Sequence, residues 1–286
     1  MGLASSVSGT DHAFVTRSSR HTVDIERLRG SSRFVVSDQV AVEDPLEIRI
    51  AHGDLGPAPR SVSVTMRTPG HDDELALGYL FAEGVIDSAA QVEAVRACAG
   101  NPRALRVELV GAPPRLERLQ RAGALSSSCG ACGKTSLEAA IGPPPARVAG
   151  EGPVAASILC GLPARLRAAQ ADFAATGGLH GVALFDLDGT LLALREDVGR
   201  HNALDKLVGH ALMHGALPWS DRIVLLSGRA SFELLQKSAR AGASIVAAIG
   251  APSSLAIETA QAAGITLVGF LHPLGFNVYT GTARVA

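Results

Sequence analysis

Apolar and polar residues alternate along "PLEIRIAHG", from Pro45 to Gly53, and the alternation returns in "RSVSVTMRT" after a connection rich in glycine and proline. A period of two predicts two strands, each with one buried face. "TPGHDDELALGYLFAEGVI" reads instead as a helix: Thr68 or the following Pro-Gly opens it, acidic residues fill its first turn, and Gly84 falls near its end. "ALRVELVG" is a further strand. The stretch ahead of these, residues 1–25, is Ser-rich and is expected to be a disordered tail. Residues 26–124 then make a small α+β unit.

Beyond it, in residues 125–286, a Cys-Gly loop and a proline-rich stretch precede a helical segment, "ASILCGLPARLRAAQADFAATGG", expected to be interrupted or begun afresh at Pro163. "HGVALFDL" and "TLLALRE" read as a strand pair around Asp188-Gly189, a strong short-range hairpin signal. "NALDKLVGHALMHG" is an amphipathic helix. "RIVLLSG", "SIVAAIG" and "ITLVGFL" are short apolar runs separated by the helical stretches "SFELLQKSARAG" and "SLAIETAQAAG", a spacing that implies crossovers and a largely parallel portion of sheet. "FNVYTG" supplies a last strand. The fold class is α/β, with the smaller α+β unit in front.

Composition narrows the function. The 286 residues are 47% apolar, which suits a sizeable core, and the net charge of −1 argues against a basic nucleic-acid surface. No apolar run approaches the ~18 residues that span a bilayer, and the N-terminus has no signal-type apolar core. The chain is therefore expected to be cytoplasmic, with neither nucleic acid nor membrane as partner. Of its four cysteines, Cys98 and Cys160 lie in apolar surroundings and read as small core residues, whereas Cys129 and Cys132 do not.

Those two sit in "SSSCGACGKTS". A structural zinc needs four ligands and one CxxC gives two; a zinc deaminase needs a proline before the first cysteine and an upstream H-x-E, and neither is present. A thioredoxin-like pair belongs where a strand feeds a helix, whereas this one lies in a glycine-flanked loop. Sulfur carriage is the third reading. A thiolate attacking a donor persulfide works best with a pKa near ambient pH. Backbone N–H groups, the hydroxyls of Ser126 to Ser128 and the Lys134 cation can stabilise such an anion. A second thiol can release the sulfur by forming a disulfide. The motif alone leaves redox and sulfur chemistry both open.

A competing motif is "FDLDGTLL", which matches the first motif of haloacid-dehalogenase-type phosphatases, with Asp186 as nucleophile, Asp188 as general acid, Ser227 in a second motif and Lys237 in a third. Such an enzyme needs further acidic Mg²⁺ ligands at a later strand end. No Asp follows Asp221, and the later carboxylates, Glu233 and Glu258, fall in helical stretches. The alternative is a turn in which Asp-Gly is chosen for its backbone angles.

"SSSCGACGK", "FAATGGLHG", "REDVGRHNALDK", "SGRASFELLQKSARAG", "APSSLAIETA" and "NVYTG" occur in that order, and the series resembles the formate dehydrogenase accessory sulfurtransferase family, FdhD, from "PLEIRI" onward. The resemblance implies a cytidine-deaminase-like three-layer α/β core without the deaminase zinc, and a homodimer. It implies a sulfurtransferase that accepts persulfide sulfur from a cysteine desulfurase and passes it to the molybdenum (or tungsten) bis(molybdopterin guanine dinucleotide) of formate dehydrogenase. It makes Cys129 the persulfide carrier and Cys132 its companion. The cofactor-binding segment becomes Phe270, Leu271, His272, Pro273, Leu274 and Gly275. His272 stands where many members carry arginine, so charge at that position becomes pH-dependent. A non-catalytic chaperone that only binds the cofactor is the alternative of a different class.

"REDVGRHNALDK" packs eight charged or polar side chains into twelve residues. One reading is a solvated loop and capped helix start; the other is a helix N-terminus holding phosphates. Arg200, His201 and Arg229, the last just past a strand end, are the candidate pocket members. "TGGLHG" adds Gly177, Gly178 and His180, and His71 and Asp72 read as helix-start residues.

Overall fold

The computed structural model describes residues 17–52, 59–112 and 153–286. Two strands come first, β1 (Arg20–Arg29) and β2 (Ser32–Ala41), which form an antiparallel ribbon turning at Gly30, φ +60°. Residues 20–25 are thus strand and not tail. Cross-strand pairing stabilises a segment whose own alternation, Val23 and Ile25, is obscured by charge. Leu28, Phe34 and Val35 on the ribbon remain exposed.

The alternation in "PLEIRIA" becomes β3 (Asp44–Ala51), which buries Leu46, Ile48 and Ile50, while Glu47 and Arg49 pair on the other face. It lies between β4 (Arg60–Arg67) and β6 (Asn101–Leu109), and β6 pairs with β5 (Val92–Cys98) across a Gly100 turn, giving the order β4-β3-β6-β5. Only β3 and β6 of this sheet run parallel. α1 (Asp72–Ala82) packs Leu75, Leu77 and Leu80 into the same cluster as these strands. Its opening turn carries Asp72, Asp73 and Glu74, Asp72 accepts from Nε and Nη2 of Arg67 at 2.8 Å each, and Gly84 beyond its end has φ +75°. Thr68 does not cap it; the residue before the helix is His71, in the left-handed region.

The larger unit contains α2 (Ala156–Ala169), α3 (Ala171–Thr176), β7 (His180–Asp186), β8 (Leu191–Asp197), α4 (Arg200–Met213), β9 (Arg222–Leu226), α5 (Phe232–Arg240), β10 (Ile245–Ala248), α6 (Ser254–Ala263), β11 (Thr266–His272) and β12 (Gly275–Thr280). One sheet runs β12-β11-β10-β9-β7-β8; β9, β10 and β11 are parallel and the flanking pairings antiparallel. Alternation sorts its side chains into two cores. Val182, Leu184, Val224 and Val246 face α4, α5 and α6, while Ala183, Phe185, Ile223 and Leu225 face Leu159, Leu162 and Leu166 of α2. Helix, sheet and helix make three layers. α2 runs straight through Pro163: the three fully buried leucines around it, spaced i, i+3 and i+7, offset the hydrogen bond the proline forfeits. The break comes instead at Gln170. Cys98 and Cys160 are only half-buried, so they are not core residues. No helix among the described residues is long and apolar enough to cross a membrane.

The two units meet through α1 and α4, and "REDVGRHNALDK" explains the junction. Asp197, with 0% of its surface exposed, accepts from Thr68 N (3.1 Å), Gly199 N (2.8 Å) and Asn202 Nδ2 (3.2 Å) and pairs with Lys206 Nζ at 2.7 Å. Lys206, 1% exposed, also donates to Thr68 O at 2.8 Å, and Asn202 donates to Met66 O at 2.7 Å. Most of the block is neither solvated nor free for a phosphate. It is a buried polar knot tying β8 and α4 to the end of β4.

Candidate functional site

The carboxyl ends of β9, β10 and β11 lie side by side, and their continuations stay in register by backbone bonds. Ser227 N donates to Gly181 O (3.0 Å), Gly250 N to Gly228 O (2.9 Å) and Phe270 N to Gly250 O (3.1 Å). Ligands of parallel sheets usually settle along such an edge. The Ser227 hydroxyl also accepts from Gly181 N at 2.9 Å, which closes the start of β7 onto the end of β9.

Against this edge opens a cleft of about 410 Å³. One wall is α2, which contributes Pro163 and Arg167, four residues apart and so on one stripe of the helix, with Gln170 just past its end. A second wall is α3. In its first turn the N–H groups of Asp172 and Phe173 donate to the Glu196 carboxylate at 3.2 and 2.9 Å, so β8 fixes where Phe173 stands. The Arg167 guanidinium lies 4.2 Å over the Phe173 ring. Gly177, with φ +66°, ends α3 and turns the chain into His180, which with Ser227, Gly228 and Ile249 forms the floor.

His180 is held below its ordinary pKa, first by burial and then by the positive neighbours Arg200, His201 and Arg229, against the opposing pull of Asp197. The three residues singled out from sequence thus stand around one imidazole, although none of them lines the cleft itself. His201 Nε2 is 2.9 Å from Glu233 of α5. Arg200 opens α4 and its Nε is buried without a hydrogen-bond partner. Arg229 is exposed, next to Gly250, where any Cβ would stand 3.1 Å from its Cγ.

The Phe270–Gly275 segment divides. Phe270 is exposed, has φ +52° and is bonded beside Gly250 on the same edge as Arg229. Leu271 is buried in the α2-side core. His272, Pro273 and Leu274 form the exposed turn into Gly275 and β12, with His272 Nδ1 accepting from Leu274 N at 3.2 Å. Cys129 and Cys132, with Ser126 to Ser128 and Lys134, lie outside the described residues.

The phosphatase reading fails on geometry. Asp186 pairs with Arg222 at one end of the β7–β9 ladder, whereas Ser227 lies opposite Gly181 at the other, about 16 Å away at ~3.3 Å per residue. The Asp186 carboxylate accepts from Asp188 N (3.1 Å) and Thr190 N (2.7 Å), and Gly189 has φ +78°. "DLDGT" is a turn. Lys237 is engaged with the buried Asp205 in another layer.

Sequence reasoning passed over Arg167, Gln170 and Phe173. The available signal was the helix stripe Pro163-Arg167, with Gln170 just past its end, directly ahead of the Gly177-Gly178 turn.

Comparison with known proteins gives one answer. The FdhD/NarQ family model matches residues 41–286. A sulfur carrier protein FdhD of Nocardia farcinica is 45% identical over 273 residues, covering 91% of this chain and 93% of that one. The protein of that name from Mycobacterium tuberculosis is 46% identical over 87% of this chain and 92% of its own; that from Sulfurisphaera tokodaii is 38% identical over 92% and 98%. In fold, the chain is similar to a crystal structure described as a formate dehydrogenase accessory protein from Desulfotalea psychrophila, with a TM-score of 0.71 at 24% identity over 93% of this chain and 99% of that one.

Proposed function

The chain belongs to the FdhD/NarQ family, and from that premise we propose that it is a sulfur carrier serving formate dehydrogenase, acting through a persulfide on Cys129. The observation that carries the reading is the match over residues 41–286, which takes in both the Cys-Gly loop and the ligand edge of the larger unit. The larger unit is then a cytidine-deaminase-like core in which the deaminase's metal chemistry is replaced by thiol chemistry, working as a cytosolic homodimer.

The Cys129 thiolate attacks the terminal sulfur of a cysteine desulfurase persulfide, and the desulfurase cysteine leaves as its thiolate. Cys129 now carries the sulfane atom. Cys132 then attacks the Cys129 Sγ; the terminal sulfur departs as sulfide to the metal centre of the bis(molybdopterin guanine dinucleotide) substrate, and a Cys129–Cys132 disulfide remains for a cellular thiol to reduce. Arg229 and Phe270 to Gly275, along the strand-end edge, hold the dinucleotide, with the Arg229 guanidinium suited to phosphate.

Intact mass after incubation with a desulfurase and cysteine tests this. Wild type and Cys132→Ala should each gain one reducible sulfur and Cys129→Ala none. A chaperone that only shelters the cofactor would gain none in any form, and a Cys129→Ala protein that loads normally would exclude Cys129 as the carrier.

A further inference from the structure

β1 and β2 form a ribbon of ten residues a strand that joins no other sheet among the described residues. A two-stranded ribbon on its own is marginal in water and needs further strands or a packed face. The register sorts its side chains: Arg27 pairs with Phe34, Ile25 with Val36, Val23 with Asp38 and His21 with Val40, so these share one face. That face carries an apolar stripe, Val23, Ile25, Phe34, Val36 and Val40, in which Phe34 is 49% and Val40 39% exposed. The FdhD/NarQ match begins at residue 41, so the stripe lies outside what that match accounts for.

Charge is divided along the ribbon. The half next to the Gly30 turn carries Arg27, Arg29 and Arg33 against one acid, Glu26, which Arg33 holds at 2.9 Å. The other half carries Asp24 and Asp38, with Glu43 just beyond it, and its one arginine, Arg20, is already bound to Asp172 of α3 at 2.5 Å. Arg29 and Glu43 are exposed, and neither has an ion-pair partner among the described residues. They stand at opposite ends: Arg29 pairs with Ser32 and Arg20 with Ala41, about 30 Å apart at ~3.3 Å per residue. An arm positive at its tip and negative at its foot is complementary to a second copy of itself laid head to tail. A two-fold axis through the middle of the ribbon sets Arg29 beside Glu43, Arg27 beside Asp38, and Phe34 between Val23 and Val40, each contact occurring twice. One arrangement thus pairs the free charges and covers the stripe.

We propose that the Phe34 face of the β1–β2 ribbon is the surface on which a second copy of this chain docks, ribbon on ribbon and head to tail. Arg29 of each copy meets Glu43 of the other, and Phe34 is the aromatic anchor. The inference rests on the homodimer of the reading above and supplies its surface and residues. Leu28 and Val35, 57% and 81% exposed, lie on the opposite face of the ribbon and stay in solvent.

Sedimentation equilibrium of the full chain over a range of concentrations is the test. Wild type should reach twice 29.4 kDa. Phe34→Asp should weaken self-association about tenfold or more. Arg29→Glu and Glu43→Arg should each weaken it about fivefold, and the two together should return it to within about twofold of wild type. Within one chain the two positions are too far apart to touch, so such a rescue passes only between copies. A monomeric wild type, a dimer indifferent to Phe34→Asp, or a double variant no better than either single overturns the proposal. Oxidation of a chain carrying both Arg29→Cys and Glu43→Cys is the second readout: a disulfide between copies joining positions 29 and 43 supports it, and its absence overturns it. A monomer whose ribbon amides resist hydrogen exchange would put the chain's own residues on the stripe, which also overturns it. A dimer that survives every ribbon variant removes this inference and leaves the homodimer, and sulfur loading at Cys129 in a monomer leaves the carrier reading standing.

Discussion

Gly78 of α1 and Gly209 of α4 lie in each other's backbone. A Cβ on Gly78 would fall 1.8 Å from the Asp205 carbonyl oxygen, and one on Gly209 would fall 1.8 Å from the Glu74 carbonyl oxygen. The contact is reciprocal, since Glu74 and Asp205 each stand four residues ahead of the glycine on their own helix. Neither glycine has a positive φ, so the requirement is for space and not for conformation.

Alanine at either position therefore forces the helices apart. Gly78→Ala and Gly209→Ala should each cost about 3 kcal/mol or more, read as a fall in the denaturant midpoint. Gly161→Ala in α2 is the control, because nothing lies within 4 Å of its would-be Cβ. It should stabilise by about 0.5–1 kcal/mol. Similar effects at 78 and 161 would refute the close-approach account.

The Asp197–Lys206 pair makes a second expectation. Removing the cation alone, as in Lys206→Met, strands a carboxylate with no surface exposed and should cost about 3–5 kcal/mol. Adding Asp197→Asn to that variant should recover part of the loss, since no buried charge then remains. Urea titration of the two singles and the double measures the coupling, and a double variant less stable than Lys206→Met would count against a charge-based explanation.

Acid stability should follow Glu74. Burial alone would raise its pKa, but hydrogen bonds from Arg195 and His71, with their charges, hold it down at about 2. The carboxyl also touches His210, whose own pKa is lowered by burial and then by Arg195. A depressed carboxyl contributes stability that is complete above its ordinary pKa of 4.5 and is lost as pH falls from there toward 2, here about 3 kcal/mol. Protonating His210 below its ordinary value acts in the same direction. Glu74→Gln should flatten the stability profile between pH 4.5 and pH 2.5; a variant profile as steep as wild type would assign the acid sensitivity elsewhere.

How far the sequence was readable follows from where each signal resides. β3 announces itself because alternation is local, β7 because its apolar run is buried on both faces, and the turn at Asp188-Gly189 because its angles demand glycine. Val23 and Ile25 of β1 were masked by their charged neighbours, and a proline at 163 suggested a break that three buried leucines prevent. The hardest segment was the one richest in charge. Asp197 and Lys206 are polar in any listing of residues, yet their burial depends on Thr68, which is 129 positions from Asp197. Gln170 was invisible for the same reason: its unmet donor exists only because Gly181 and the strand ends close around it.

Glu196 and Asp197 are consecutive residues of β8 and face opposite ways. The first grips the start of α3 and with it Phe173; the second grips Thr68 at the edge of the smaller unit. A single peptide unit thus joins the rim of the cleft to the far half of the molecule. Any slackening of the front half is felt at the aromatic wall as a shift of its anchor, so the front half works as ballast that keeps the cleft wall aligned.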